Sequence, residues 1–489
     1  MAVVTTTSRP WAALIGISVT AAAVRIPFVG SGLGADEGGY AAIARAWADG
    51  APLYSDAWVD RPQGLMVAYR GLLSVADSAV SIRVGAVLAG VGISVLLYEV
   101  ARRLKNRRAG LLAASVYALV GVAPQVEGFS FNGELVAGPP TVAAIAAALA
   151  WNDGAGRRWL PASGACAAAA MLCKQSAFDG LLVVLLVVVL GRRGAGARLR
   201  VAGGVALGAA PLFAVAALHG ARSGWSEYWT AVVGYRWEVS LTASDRWSRF
   251  ERSVGPAWRA LPVAWVLGAA TFIGAVVTRN RALLVAVAWL VAAALGFAVG
   301  GGAWPHYYVQ LLPPLCLAVG LVLAPVRWAS LRLLLVMAVA APALVFVART
   351  TIDGDARLRD LPFAATARAD ARVGAYLRSR TRPDDTVYAL MTHAGVYFHA
   401  RRRAALPYLW AVPLHAVPGG MGRLRRVLTS PNRPKFVVVY QPAWSVDPTG
   451  EVGALLGDHY AIDRAAPFRS PRILQAMPIT RKHSDASNP

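Results

Sequence analysis

The chain has 489 residues, of which 56% are hydrophobic and only 15% charged. A soluble domain keeps about a quarter of its residues charged, so this deficit excludes an ordinary water-soluble enzyme and puts much of the surface against lipid. The formal net charge of +23 does not point to nucleic acid. The basic residues fall as short clusters between apolar runs, which is how a membrane protein sets its orientation.

Taken in chain order, Arg9 precedes an apolar run over 11–29, read as an uncleaved first span because further apolar segments follow it. The others lie at 82–99, 109–126, 135–152, 159–174, 178–191, 201–219, 260–278, 283–300, 308–326 and 332–348. The sequence therefore predicts about eleven transmembrane helices, at about 20 residues each where the run is long enough. From Ala282 to Val326 there is no Asp, Glu, Lys or Arg, and Gly300-Gly301-Gly302-Ala303-Trp304-Pro305 breaks that stretch in two. Cys166, Cys173 and Cys316 all sit in apolar runs and read as small core residues, not as disulfide partners or metal ligands.

With the N-terminus inside, the short loops at Arg102–Arg108, Arg157–Arg158, Arg192–Arg200, Arg279–Arg281 and Arg327–Arg332 are all basic, as the positive-inside rule requires. Before the last span only Glu99 and Asp153 among the acidic residues fall on that side. The carboxylates gather on the opposite, outer face. An odd number of spans puts the C-terminal stretch there too.

After Ala348 the texture becomes that of a small soluble α/β domain. Arg368–Arg380 has a helical pattern, Thr386–Leu390 and Lys435–Tyr440 read as strands, Glu451–Leu456 as a short helix and Arg472–Leu474 as a last strand. The expected organisation is a transmembrane part over 1–348, with a first outer loop at 30–81, and an extracytoplasmic α/β domain over 349–489. The composition, rich in Ala, Gly and Arg, suggests a bacterial source and hence a multi-pass protein of the plasma (inner) membrane.

The first outer loop holds Asp36-Glu37 just after the first span, then Tyr40 and an apolar stretch to Ala48 that reads as a short interfacial helix, then Asp60-Arg61-Pro62-Gln63-Gly64-Leu65. A carboxylate at the membrane boundary can meet both a lipid-borne phosphate and a water-borne hydroxyl. Asp36 reads equally as the N-cap of a helix starting near Gly38. Other candidates carry paired readings too. Lys174 is a phosphate ligand or a snorkelling lysine; Arg61 is a phosphate ligand or the neutraliser of Asp60; His306 and Tyr307 are hydrogen-bond donors or part of an interfacial aromatic belt. Glu127 and Glu134 either ligate a divalent cation, orient Lys174, or are solvated loop charges. The aromatic loop from Trp225 to Trp258 is an interfacial anchor or a platform for sugar rings.

These motifs together resemble the membrane glycosyltransferases of the GT-C fold, in particular the polyprenyl-phosphate-sugar-dependent family 39 and its aminoarabinose-transferase-like relatives. Asp36-Glu37, Tyr40 and Arg61-Pro62 match that family's first extracytoplasmic loop, although relatives often have Lys-Pro-Pro-Leu where this chain has Arg61-Pro62-Gln63-Gly64-Leu65. The resemblance extends to Asn132-Gly133-Glu134, to Lys174-Gln175 and to His306-Tyr307-Tyr308-Val309-Gln310-Leu311-Leu312-Pro313. It implies a glycosyltransferase, hexosyl or pentosyl, that moves a sugar from a polyprenyl phosphate to an extracytoplasmic glycan, lipid or protein with inversion.

Such transfer needs a base for the acceptor hydroxyl and positive groups to hold the departing phosphate. Asp36, with Glu37, is the catalytic candidate; Tyr40, Arg61, Asn132, Glu134, Lys174, Gln175, His306 and Tyr307 are the substrate-binding candidates. A divalent metal ion stays open as a cofactor, with Glu127 and Glu134 as its ligands. A flippase or transporter of a lipid-linked saccharide and an oligosaccharide ligase or polymerase are the alternatives. Transporters tend to show internal repeats and broken helices near the midplane, whereas here the ionisable residues cluster at one face.

Overall fold

A computed structural model describes residues 10–191, 195–239, 242–353, 361, 363–391 and 393–478; Arg9, Arg192 and Arg193 of the charge pattern lie outside them. Each apolar segment read from the sequence is helical. The helices are Pro10–Ala23, Ala79–Leu104, Arg107–Val120, Gly133–Asn152, Trp159–Cys173, Asp179–Leu190, Ala195–Ser223, Pro262–Thr278, Arg281–Gly300, Leu312–Leu323 and Ala329–Asp353. A helix is the form in which an apolar segment satisfies its own backbone without water. Among the described residues, seven helices are long and apolar enough to cross a membrane, or up to eight if Ala243–Ala260 and Pro262–Thr278, bent by 96°, make one span. Trp159–Cys173 and Asp179–Leu190 are apolar but shorter.

The chain forms two compact units, one of Met1–Gly32, Arg61–Trp225 and Ser240–Ala364, the other of Leu33–Asp60, Ser226–Val239 and Ala365–Pro489. The first unit is the helical bundle. Its helices approach closely where glycine permits: a Cβ on Gly164 would fall 1.8 Å from the carbonyl oxygen of Val205, and one on Gly208 would fall 1.8 Å from that of Pro161. Small residues at such crossings are the usual means of packing helices that gain nothing from leaving lipid.

One end of this bundle is tied by ordinary ion pairs. Arg102 and Arg103 both bond Glu99, Arg103 reaches Asp153 at 3.0 Å, and Lys105 donates to the carbonyl of Leu321 at 2.9 Å. Lysine at the end of another helix complements that helix's orphan carbonyls.

The second unit contains a four-stranded sheet of β1 (Val387–Leu390), β2 (Phe436–Val439), β3 (Tyr460–Ile462) and β4 (Arg472–Ala476) in the order β1-β2-β4-β3. β1 and β2 are parallel, with Val387 opposite Phe436; β4 runs antiparallel to both β2 and β3. β1 is wholly buried and β2 nearly so, which is why both read as continuous apolar runs. The helices Ala364–Arg380 and Glu451–His459 fall where the sequence put them. The same unit holds the loop helix Ala35–Ala48.

The expected start of that loop helix, near Gly38 or Tyr40, needs correcting. It begins at Ala35, because Gly34 is the N-cap and Glu37, at the third helical position, accepts the Gly34 N–H at 3.0 Å. Glu37 thus does the capping that Asp36 was one candidate for.

Candidate functional site

In the first unit, Glu134 and Lys174 face each other as a buried ion pair. The local fold explains the meeting. Gly133–Asn152 and Trp159–Cys173 form a helical hairpin, so the start of one lies beside the end of the other. Glu134 occupies the first turn of its helix and Lys174 is the C-cap of its own, so each charge also complements a helix dipole. Lys174 is 3% exposed. It is not a lysine snorkelling to the headgroups.

The 3-10 turn Pro305–Leu311 completes the cluster. Tyr307 places its ring 3.9 Å from the Lys174 ammonium, a cation–π contact. His306 lies between two carboxylates, with Nδ1 3.5 Å from Glu127 and Nε2 3.9 Å from Glu134. Glu127 is in the left-handed backbone region at φ 55°, just after the short turn Pro124–Val126. Arg61, 6% exposed, acts electrostatically on Glu134. Asn132 is the buried N-cap of the Glu134 helix, and among the described residues its side-chain oxygen has no hydrogen-bond partner. Gln175, next to Lys174, is half-buried. The structure thus brings Glu134, Lys174, His306, Tyr307 and Glu127 together.

The fit to a metal is poor. Glu134 is engaged by the Lys174 ammonium, which repels a cation at the same oxygen. Among the described residues no group of three or more His, Cys, Asp or Glu is arranged to hold a metal ion.

Beside this cluster lies a second buried carboxylate that sequence reasoning passed over. Asp179, 1% exposed, accepts from Trp289 Nε1 at 2.8 Å and from Gln310 Nε2 at 2.8 Å; the Gln310 amide also donates to the carbonyl of Ser176 at 3.0 Å. Glu134, Thr141, Asp179, Trp289 and Gln310 line a cavity of about 10 Å³, room for about one water. The only available signal was a lone acid opening an otherwise apolar segment. Arg25 and Arg83 were passed over as well. Arg83, 1% exposed, donates to the carbonyl of Phe129 at 3.3 Å and to that of Gly32 at 2.5 Å.

Of the remaining candidates, Asp36, Glu37 and Tyr40 belong to the second unit. Asp36 is half-buried in the first turn of Ala35–Ala48, where a carboxylate is favoured by the helix dipole. Glu37 is 1% exposed and committed to its cap. Tyr40 is buried with its ring 5.7 Å from that of Trp410. The aromatic loop divides. Tyr228 packs on Tyr54 at 5.1 Å and Tyr235 on Trp58 at 5.2 Å, whereas Trp225, Trp229, Trp237, Trp247 and Trp258 are exposed.

Residues 61–219 match the family described as dolichyl-phosphate-mannose-protein mannosyltransferase. No curated protein matches the sequence. In three dimensions the chain is similar to ArnT of Cupriavidus metallidurans bound to undecaprenyl phosphate, at 16% identity and a TM-score of 0.64, over 97% of this chain and 99% of that one. The apo form gives a TM-score of 0.65 at 16% identity, over 95% and 97%. The oligosaccharyltransferase of Archaeoglobus fulgidus, in complex with zinc and sulfate, is similar at 14% identity and a TM-score of 0.52, over 91% and 69%. The protein has the GT-C membrane fold.

Proposed function

We propose that this protein transfers a sugar from a polyprenyl phosphate to an extracytoplasmic acceptor at the outer face of a bacterial plasma membrane. The observation that carries the reading is the buried Glu134–Lys174–His306–Tyr307 cluster at one end of a helical bundle with this fold. Asp36 is the base: it takes the acceptor's hydroxyl proton as the oxygen attacks the anomeric carbon. The bond from that carbon to the phosphate oxygen breaks, and the polyprenyl phosphate leaves as an anion, with inversion.

Arg61 and Lys174 hold the phosphate electrostatically, and His306 and Tyr307 supply hydrogen-bond donors. Glu134 keeps Lys174 charged and aimed, while Glu37 fixes the start of the helix that carries Asp36. Asn132 and Gln175 line the donor side, and Tyr40 orders the loop helix by packing. An eleven-span topology, with the bundle ending near residue 348 and the α/β domain outside as the acceptor-recognising part, fits this arrangement.

The test is a transfer assay in nanodiscs with undecaprenyl-phosphate-linked mannose and aminoarabinose as donors. Asp36→Asn is expected to lower kcat by about 10²–10⁴-fold, the usual weight of a general base. Wild-type activity in a well-expressed Asp36→Asn protein would remove Asp36 from the mechanism.

A further inference from the structure

The C-terminal α/β domain contains a polar cluster that the proposed chemistry does not use. Asp370, on the helix Ala364–Arg380, is 1% exposed. Its Oδ1 lies 2.7 Å from His393 Nδ1 and accepts the Tyr440 hydroxyl at 3.0 Å. The rings of His393 and Tyr440 stack with centroids 3.3 Å apart and an angle of 4° between their planes. Topology brings them together: His393 follows β1 and Tyr440 follows β2, and these two strands are parallel neighbours. Among the described residues the second oxygen, Oδ2, has no hydrogen-bond partner, and it packs against backbone, since a Cβ on Gly395 would fall 2.7 Å from it.

On the other side of Gly395 lies the loop helix. A Cβ on Gly38 would fall 2.6 Å from the Cα of Gly395, and one on Gly39 would fall 2.4 Å from the Trp410 ring. Arg45, about two turns further on, donates to the carbonyl of Phe398 at 2.9 Å and lies 4.4 Å over the Phe398 ring. Carboxylate, glycine and glycine are therefore stacked with no side chain between them. The helix whose first turn carries Asp36 and Glu37 rests on that stack.

We propose that Asp370 and His393, acting through Gly395 and Gly38, are positioning residues: the C-terminal domain is the seat that fixes the helix bearing Asp36. This rests on the reading of Asp36 as the base. It gives the domain a part in the rate of transfer, beside any part in acceptor choice. Tyr440 locks the His393 ring by stacking, and burial together with the nearby Asp370 carboxylate pushes its phenol well above the usual tyrosine range. It stays a neutral donor to Asp370 across the working pH.

Hydrogen–deuterium exchange of the full-length protein in nanodiscs tests the seat without any donor. In Gly38→Ala and Gly395→Ala, exchange over residues 35–48 is expected to rise about tenfold, with β1 and β2 as protected as in wild type. With undecaprenyl-phosphate-mannose, or the donor that the transfer panel selects, kcat is expected to fall about 10²-fold, the order expected for a misplacement of about 1 Å. KM for the donor should change by less than about threefold, since the donor-binding candidates lie elsewhere. Asp370→Asn, which keeps an acceptor oxygen, should be milder than Asp370→Ala in both readouts. If Gly395→Ala loosens the sheet as well, Gly38→Ala decides, because it alters no residue of that domain. Wild-type exchange over 35–48 in Gly38→Ala, or faster exchange with unchanged kcat, overturns the proposal. Failure of every donor with the wild-type protein would sink the glycosyltransferase reading instead, and the exchange result would stand apart from it.

Discussion

Glu134 in the bundle and Asp370 in the α/β domain are built from similar parts: a buried carboxylate, a nitrogen base within reach, and a tyrosine ring against that base. They differ in what surrounds them. Glu134 is approached by three cationic or potentially cationic groups, Lys174, His306 and Arg61, from three separate stretches of chain. Asp370 holds one histidine and one phenol on a single oxygen, with His399 acting on it electrostatically, and the other oxygen packs against the backbone of Gly395. Several cationic groups converging on two carboxylates, Glu134 and Glu127, give an incoming anion partners to compete for, whereas a sealed carboxylate can only hold its neighbours in place. On the proposed reading, the same local chemistry serves a ligand in one unit and a seat in the other.

The sharpest way to break this contrast is to remove the lysine. In Lys174→Met, Glu134 is left buried without its partner. Breaking a buried ion pair from one side costs about 3–5 kcal/mol, so the unfolding temperature in detergent should fall by far more than a surface change would give. The double variant Glu134→Gln/Lys174→Met should regain most of that stability, because no uncompensated charge is left. Transfer should not return with it. A double variant that recovers both stability and turnover would make the pair structural, like the Asp370 cluster, and the contrast would vanish.

A smaller effect is expected at Asp179. Trp289→Phe keeps the ring but removes the indole N–H that donates to Asp179 Oδ2 at 2.8 Å. Leaving a buried acceptor short of a donor costs about 1–3 kcal/mol, read as a lowered unfolding midpoint, and Gln310 still holds the other oxygen. A change below measurement would mean that water in the adjoining cavity takes over the bond.

Sequence reasoning reached some of this and not the rest, for physical reasons. The apolar segments are legible because a helix in lipid needs a long uncharged run, and each of them is helical. The buried strands β1 and β2 announce themselves as unbroken apolar runs. β3 does not: it is three residues long, with Ala461 and Ile462 exposed, so it carries no burial pattern. The motifs left Glu127 and Glu134 both open as carboxylates that orient Lys174; the hairpin, which sets the start of one helix beside the end of the other, brings Glu134 to it. Asp179 was not, since its partners Trp289 and Gln310 lie 110 and 131 residues away. The Gly38–Gly395 contact is equally silent in the sequence, where both glycines look like ordinary loop residues.

The smallest predicted effect separates the two units by pH. Asp447, in the α/β domain, accepts from the Thr449 hydroxyl at 2.6 Å, the Val452 N–H at 3.1 Å and Arg425 at 3.2 Å. These bonds, the Thr449 hydroxyl first, favour the carboxylate and bring its pKa down to about 2. Its unfolded value is near 4. A group whose pKa is depressed on folding stabilises the fold above the unfolded value and loses that contribution as pH falls through the folded one. Loss of protection in β1 and β2 should therefore set in as pH drops from about 4 toward 2. Asp447→Asn should be less protected at pH 7 and should flatten the dependence in that window. Exchange over the sheet that is as acid-sensitive in Asp447→Asn as in wild type would assign the acid response to another carboxylate, with Asp385, held down by its bond to Lys435, the next to test.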